Sequence, residues 1–80
     1  MTSILKIKPS KEDTARLSPY LSGWNKLNDA IAKKGFDIVD TETLLALEVR
    51  GKARKPILER LLGRLHTLEL AARWAEINAL

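Results

Sequence analysis

Apolar residues recur at helical spacing along most of this chain, with clear breaks between the runs. Within residues 19–34, four of them follow one another at intervals of four, three and four: Tyr20, Trp24, Leu27 and Ile31. Side chains at these intervals share one face of an α-helix. The spacing therefore predicts a helix over residues 19–34 that buries this face, including both aromatic rings, in a core.

Capping residues mark the ends of the first two predicted helices. Ser10 is followed by Asp13 three residues later, a spacing typical of an N-terminal capping box. This pair predicts a short helix over residues 11–17. Gly35 stands where a left-handed residue commonly ends a helix, so we expect the helix over residues 19–34 to stop there.

The third predicted helix covers residues 41–50 and is apolar nearly all round, which requires burial on more than one side. Asp40 is its expected N-cap, so residues 36–39 are predicted to be a linker. Before the first helix, the brief apolar–polar alternation in residues 1–9 predicts a short strand or an extended arm. Residues 10–80 are then expected to form a single helical domain of three or four helices.

The last predicted helix, over residues 54–80, is too long for a monomer of this size. At 1.5 Å per residue it would extend roughly 37 Å from Pro56, against about 30 Å across an 80-residue globule. One apolar stripe alternates spacings of three and four, as in a coiled-coil seam: Leu58, Leu61, Leu65, Leu68, Ala72, Ala75 and Ala79. Leu70, Trp74 and Ile77 lie on a different face of the same helix.

Two apolar faces on one helix predict self-association, because the chain's own core can cover only one of them. A single core in a chain of 80 residues rarely supplies more than about 3–5 kcal/mol, and the absence of cysteine excludes disulfides. We therefore expect a homodimer or a higher oligomer. The predicted interface comprises Leu58, Leu61, Leu65, Leu68, Ala72, Trp74 and Ile77.

Positive charge is concentrated in one segment. The chain has a formal net charge of +4, but residues 50–64 hold six cations against the one anion Glu59, so this segment carries +5 and the rest −1. The six cations are Arg50, Lys52, Arg54, Lys55, Arg60 and Arg64. Such side chains at a turn and a helix start are suited to phosphate groups. The segment predicts a phosphate-bearing partner, nucleic acid or a nucleotide; the alternative is a solvated charged face.

Residues 41–61 resemble a DNA-binding helix-turn-helix, because a short helix is followed by a turn with Gly51 and by a second helix. The chain departs from that family at Arg50 and Lys52, which flank the glycine where the family buries apolar side chains. The second helix is also far longer than a recognition helix. An antiparallel helical hairpin joined at Gly51 explains the same residues, and no base-reading role is carried over.

Few residues suited to catalysis or metal binding are present. The chain has no cysteine and one histidine, His66, so neither a catalytic triad nor a set of cysteine or histidine ligands can be assembled. Its four glycines match neither the P-loop nor the dinucleotide-binding pattern. We expect a non-enzymatic protein without metal or cofactor. No apolar run approaches the roughly 18 residues of a membrane span, and a cytoplasmic location is expected.

Together these patterns predict an all-α fold whose long C-terminal helix forms a hairpin, in a small regulatory or binding protein. The first expected function is binding of nucleic acid or a nucleotide through residues 50–64, as a homo-oligomer. The alternative is a protein–protein adaptor or inhibitor. It would grip an acidic protein surface through the same cations, or use the C-terminal helix.

Overall fold

The computed structural model describes residues 4–80, and within them every regular element is a helix. The α-helices are α1 (Lys11–Leu17), α2 (Trp24–Lys34), α3 (Ile38–Arg50) and α4 (Lys55–Asn78). Short 3₁₀ helices cover Ile4–Lys6 and Ser18–Leu21. The predicted all-α fold with a long C-terminal helix is confirmed.

The N-terminal segment differs from the predicted arm or strand. Residues 1–3 lie outside the described part of the chain. Ile4–Lys6 form one turn of 3₁₀ helix, which the backbone N–H of Ile7 closes by donating to the carbonyl of Ile4 at 3.2 Å. Ile4 packs against the core, so burial against the helices takes the place of pairing with a strand.

Two of the predicted helix ends are confirmed in atomic detail. The Ser10 hydroxyl accepts a hydrogen bond from the backbone N–H of Asp13 at 3.0 Å, and α1 starts at the next residue, Lys11. Gly35 ends α2 in the left-handed conformation, with φ 60° and ψ 54°. Its N–H donates to the carbonyl of Ile31 at 3.3 Å. A residue with a Cβ atom would be strained there, which explains the glycine.

The helix predicted over residues 19–34 is broken, and the prediction that Trp24 belongs to the core is wrong. Ser18–Leu21 form a 3₁₀ helix, and α2 begins only at Trp24 after an extended Gly23. Tyr20 and Trp24 therefore belong to different elements. Tyr20 packs edge-on against Phe36, with ring centroids 5.3 Å apart, whereas Trp24 is 48% exposed.

α3 begins three residues earlier than predicted, because Asp37 and not Asp40 is its N-cap. The Asp37 carboxylate accepts a hydrogen bond from the backbone N–H of Asp40 at 2.8 Å. Asp40 instead lies in the first turn and accepts two hydrogen bonds from the Arg16 guanidinium of α1, at 2.8 and 3.3 Å. Asp40 therefore links α3 to α1 instead of capping α3. Residues 38 and 39 of the expected linker belong to α3.

The core lies between α3 and α4, which form the predicted helical hairpin, and α1 and α2 close it. Each helix contributes buried apolar side chains: Leu17 from α1, Leu27 and Ile31 from α2, Leu44 and Leu45 from α3, and Ile57, Leu61 and Leu65 from α4. Burial of one such side chain contributes about 1.5–3 kcal/mol relative to its exposure. The first half of α4 is therefore an integral part of the fold.

α4 continues beyond this core at its C-terminal end. Its 24 residues extend about 36 Å, and the longest dimension of the molecule is 41 Å. Leu65 is its last buried residue, and every side chain from Leu70 onward is exposed. We call residues 70–80 the α4 extension. Although α4 is long, no helix in the described part of the chain is apolar enough to cross a membrane.

Candidate functional site

The connection between α3 and α4 is a tight bend that carries several of the predicted phosphate contacts. The Gly51 N–H donates to the carbonyl of Leu47 at 2.9 Å, and the Ala53 N–H donates to the carbonyl of Glu48 at 2.7 Å. Ala53 adopts a left-handed conformation with φ 47°, which is unusual for a residue with a side chain. This turn exposes Lys52 on its outer side.

Arg54 is a structural residue at this bend. Glu48 is 2% exposed, and its carboxylate accepts three hydrogen bonds from Arg54: from the backbone N–H and Nη2 at 2.8 Å, and from Nε at 3.1 Å. Arg54 also donates from Nη2 to the carbonyl of Leu21. These bonds lower the pKa of Glu48 and raise that of Arg54. Arg54, predicted as a phosphate contact, therefore uses most of its donors within the fold.

Arg60 and Arg64 lie along the groove between α4 and α2. Arg60 Nε donates to Asn28 Oδ1 at 2.6 Å, and Arg64 Nη2 donates to the carbonyl of Phe36 at 3.3 Å. Together with the hydrogen bond from Arg54 to the carbonyl of Leu21, these bonds tie the first half of α4 to residues 21–36. The acceptors of Arg60 and Arg64 are neutral, and both guanidinium groups therefore keep their charge uncompensated.

Arg50 joins two cationic segments that are distant in the sequence. Its Nη2 donates to the backbone carbonyl of Ile7 at 2.7 Å, across 43 positions of the chain. Lys6 and Lys8 flank Ile7 and are exposed. They extend the cationic surface of the bend. We call this set the bend cluster: Lys6, Lys8, Arg50, Lys52 and Lys55.

The bend cluster is electrostatically uncompensated. All five side chains are exposed, and none forms a salt bridge with a carboxylate in residues 4–80. Glu48, the acidic residue closest along the chain to Arg50, is neutralised by Arg54 at 2.8 Å. Like charges gathered without counter-charges attract anions from solution. This arrangement is suited to binding an anionic group.

A metal site is not found in the described part of the chain, where no three histidine, aspartate or glutamate side chains lie close enough together. His66, the only histidine, is exposed on the outer side of α4.

The predicted oligomer interface divides into two groups. Leu61 and Leu65 are 0% and 8% exposed in the chain's own core, and Leu58 and Leu68 are half-buried. The core of one chain already covers Leu61 and Leu65, which consequently offer almost no surface to a second copy. The remaining members are exposed on the second half of α4: Ala72, Trp74 and Ile77.

Sequence reasoning missed Lys6 and Lys8 as members of the cationic surface. Alternating lysines in residues 1–9 were a visible signal, but nothing in the sequence indicates that Arg50 reaches back to Ile7.

Comparison of this chain with known proteins gives a negative result. No known protein family, no curated protein and no solved structure shows a significant match to this chain.

Proposed function

We propose that this protein binds a phosphate-bearing partner through the bend cluster. The observation that carries the proposal is the hydrogen bond from Arg50 to the carbonyl of Ile7, because it adds Lys6 and Lys8 to the cations of the bend. Five exposed cations within one end of the molecule form a surface that a polyanion neutralises better than isolated ions do.

The structure narrows the residues that we assign to this function. Arg54 is assigned to the fold, since its guanidinium neutralises the buried Glu48. Lys52 and Lys55 are the best candidates for phosphate contact, because both are exposed and neither forms a salt bridge within residues 4–80. Arg60 and Arg64 retain charge in the adjoining groove and extend the cationic track away from the bend.

The test removes two charges from the bend and leaves Arg54, the hydrogen-bond partner of Glu48, in place. Lys52→Gln/Lys55→Gln is compared with Lys26→Gln/Lys33→Gln, which removes the same charge from exposed positions on α2. Fluorescence anisotropy of a labelled oligonucleotide is measured at several salt concentrations. We expect the bend variant to weaken binding and to reduce the log–log salt slope by up to about two units, near one per lost contact.

The control variant is expected to keep the parent's salt slope. Equal binding and equal slopes for both double variants would show that the bend cluster is only a solvated charged surface. In that case the interaction with an acidic protein would become the first candidate.

A second function is favoured by the α4 extension, and we infer that it mediates self-association. Leu70, Trp74 and Ile77 are 51%, 58% and 55% exposed. At about 100° per residue they share one side of α4, opposite the side that Leu61 places in the core. Three large apolar side chains in a continuous exposed row mark an interaction surface.

Charge complementarity favours a second copy as the occupant of this surface. In an antiparallel pairing centred on Ala71, Glu69 lies opposite Arg73 of the partner subunit, and by symmetry this ion pair occurs twice. The same register sets His66 opposite Glu76 of the partner subunit. The outer side of α4 is exposed at His66, so a partner helix has access along it.

The test exploits this symmetry. Arg73→Glu is expected to convert both ion pairs into repulsive contacts and to reduce self-association, measured by sedimentation of the 9.0 kDa chain at micromolar concentration. The double variant Glu69→Arg/Arg73→Glu restores the pairs and is expected to restore association. A parent chain that sediments as a monomer throughout, or a double variant no better than the single one, would contradict this pairing.

A further inference from the structure

We propose that an unpaired nucleobase stacks on the exposed ring of Trp24, so that the ligand of the cationic surface is a nucleotide, free or within a single strand. This inference rests on the proposed binding of phosphate at the bend and deepens it. The bend cluster supplies charge, which any polyanion satisfies, whereas an aromatic surface beside it selects ligands that carry a flat ring.

Trp24 lines an apolar cleft beside the start of α4. The cleft has a volume of about 400 Å³ and is lined by Trp24 from α2 and by Arg54, Pro56 and Ile57 from the start of α4. Ile57 is 3% exposed and belongs to the core, so it is held rigidly on one side of the cleft. The indole of Trp24 and the ring of Pro56 both line the cleft, and the indole supplies its aromatic surface.

One cation lines this cleft and a second is linked to Trp24 through Asn28. Arg54 lines it directly, and its side chain is 29% exposed although it is bound to Glu48. Arg60 Nε donates to Asn28 Oδ1 at 2.6 Å, and Asn28 Nδ2 donates to the backbone carbonyl of Trp24 at 2.9 Å. Arg60 is therefore one helical turn along the groove from Trp24. A base on the indole would have its phosphates near Arg60 and near the exposed Lys55, which follows Arg54 in the chain.

The exposure of Trp24 has no explanation within the fold. Tyr20 and Phe36 pack against each other at 5.3 Å, and Trp24 joins no aromatic pair in the described part of the chain. An indole left half-exposed beside positive charge is the usual composition of sites for single-stranded nucleic acid. Stacking of a base on such a ring is tolerant of base identity, because every base has an aromatic face.

A double helix cannot use this cleft except at its ends, since its bases are already stacked on one another. The proposal therefore predicts discrimination between single and double strands that the bend cluster alone cannot provide. Polyphosphate carries the charge and has no base, so its binding measures the contribution of the cations without that of base stacking.

The experiment uses the fluorescence of Trp24 to detect a base that stacks on its ring. The Trp74→Phe variant leaves Trp24 as the only tryptophan in the chain. It is titrated with a thymidine dodecamer, a duplex of equal length, thymidine monophosphate and inorganic polyphosphate. We expect quenching by the dodecamer, and by the monophosphate if a free nucleotide is the ligand, and no quenching by duplex or polyphosphate.

Substitution of the ring provides the quantitative test. Trp24→Leu is expected to weaken binding of the dodecamer about fivefold to 150-fold and to leave the affinity for polyphosphate unchanged. Trp24→Phe keeps a smaller ring and is expected to have an intermediate effect. Circular dichroism checks that both variants retain the helix content of the parent.

The outcomes separate this inference from the proposed function. Binding of dodecamer, duplex and polyphosphate with equal affinity, with no quenching and no effect of Trp24→Leu, would overturn the base-stacking site and leave the phosphate site standing. Absence of binding to every one of these ligands would overturn both. Loss of polyphosphate binding in Trp24→Leu would show that the ring has a structural role, which also contradicts the inference.

Discussion

The two halves of α4 both carry large apolar side chains, but their environments are opposite. Residues 55–65 place Ile57, Leu61 and Leu65 in the core, whereas no side chain in the α4 extension is buried. The first half is also held by side-chain hydrogen bonds, since Arg60 donates to Asn28 in α2 and Arg64 donates to the carbonyl of Phe36 after α2. The difference teaches that helical periodicity identifies apolar faces, but the neighbouring elements decide which faces belong to the fold.

The strongest test of this difference compares the same substitution in each half. Leu61→Ala is expected to lower the free energy of unfolding by about 2–5 kcal/mol, because it removes fully buried atoms and leaves a cavity. Leu70→Ala is expected to change it by less than about 0.5 kcal/mol at concentrations where the chain is monomeric. Urea unfolding followed by circular dichroism measures both. Comparable losses would mean that the halves are equally integrated.

A second test concerns Arg54, which anchors the start of the packed half. It lowers the pKa of Glu48 from its ordinary value of 4.5, and a carboxyl group with a lowered folded-state pKa stabilises the fold above its unfolded pKa. That contribution disappears as pH falls through the folded-state value. We expect the parent to lose stability as the pH is lowered below about 4.5, and Arg54→Gln to be less stable at neutral pH and to lose less on acidification.

The pH dependence is measured by urea unfolding at several pH values between neutral and acidic. Arg50→Gln is the matched control, because Arg50 donates to the carbonyl of Ile7 and not to a carboxylate. This control should follow the parent's pH profile. An Arg54→Gln profile parallel to that of the parent would show that the Glu48 pair does not contribute to acid sensitivity.

A smaller effect is expected at the bend that precedes the packed half. Ala53 has φ 47°, a conformation that glycine adopts without strain. Ala53→Gly is expected to stabilise the fold by about 0.5–1 kcal/mol, since the relief of strain exceeds the added flexibility of the unfolded chain. Ala53→Val, with a β-branched side chain in the same conformation, should destabilise it. Thermal unfolding ranks the three chains, and a destabilising glycine would indicate that the backbone is not strained there.

The smallest change in stability is expected when the α4 extension is shortened. Deletion of residues 71–80 removes only exposed side chains, so the monomer's free energy of unfolding should change by about 0.5 kcal/mol or less. Self-association should be lost in the same variant, as measured by sedimentation. A stability loss well above 1 kcal/mol would show that the extension packs on the fold.

Local signals in the sequence predicted the parts of the fold that local interactions determine. Ser10 and Gly35 mark α1 and α2 correctly because their own side chain or backbone conformation satisfies the helix end. The N-cap of α3 is Asp37 and not the predicted Asp40, although an aspartate at either position suits a cap. The choice depends on Arg16 of α1, a residue 24 positions away from Asp40.

The candidate site was predictable only in part, because its decisive contacts are distant in the sequence. The cations of the bend are visible as a run, but the commitment of Arg54 to Glu48 requires knowledge that Glu48 is buried. Trp24 shares helical spacing with Leu27 and Ile31, yet it is the first residue of α2 and is 48% exposed. Periodicity alone cannot reveal where a helix begins.

The continuity of α4 has a consequence for its internal motion. The α4 extension has no buried side chain to anchor it, and a helix of about ten residues is marginal in water on its own, so it depends on the packed half as a template. Amide hydrogen exchange should therefore be slow near Leu61 and accelerate steadily toward Asn78. When a partner covers the α4 extension, this gradient in exchange rate should flatten. The exchange profile of α4 therefore reports whether a partner is bound to the extension.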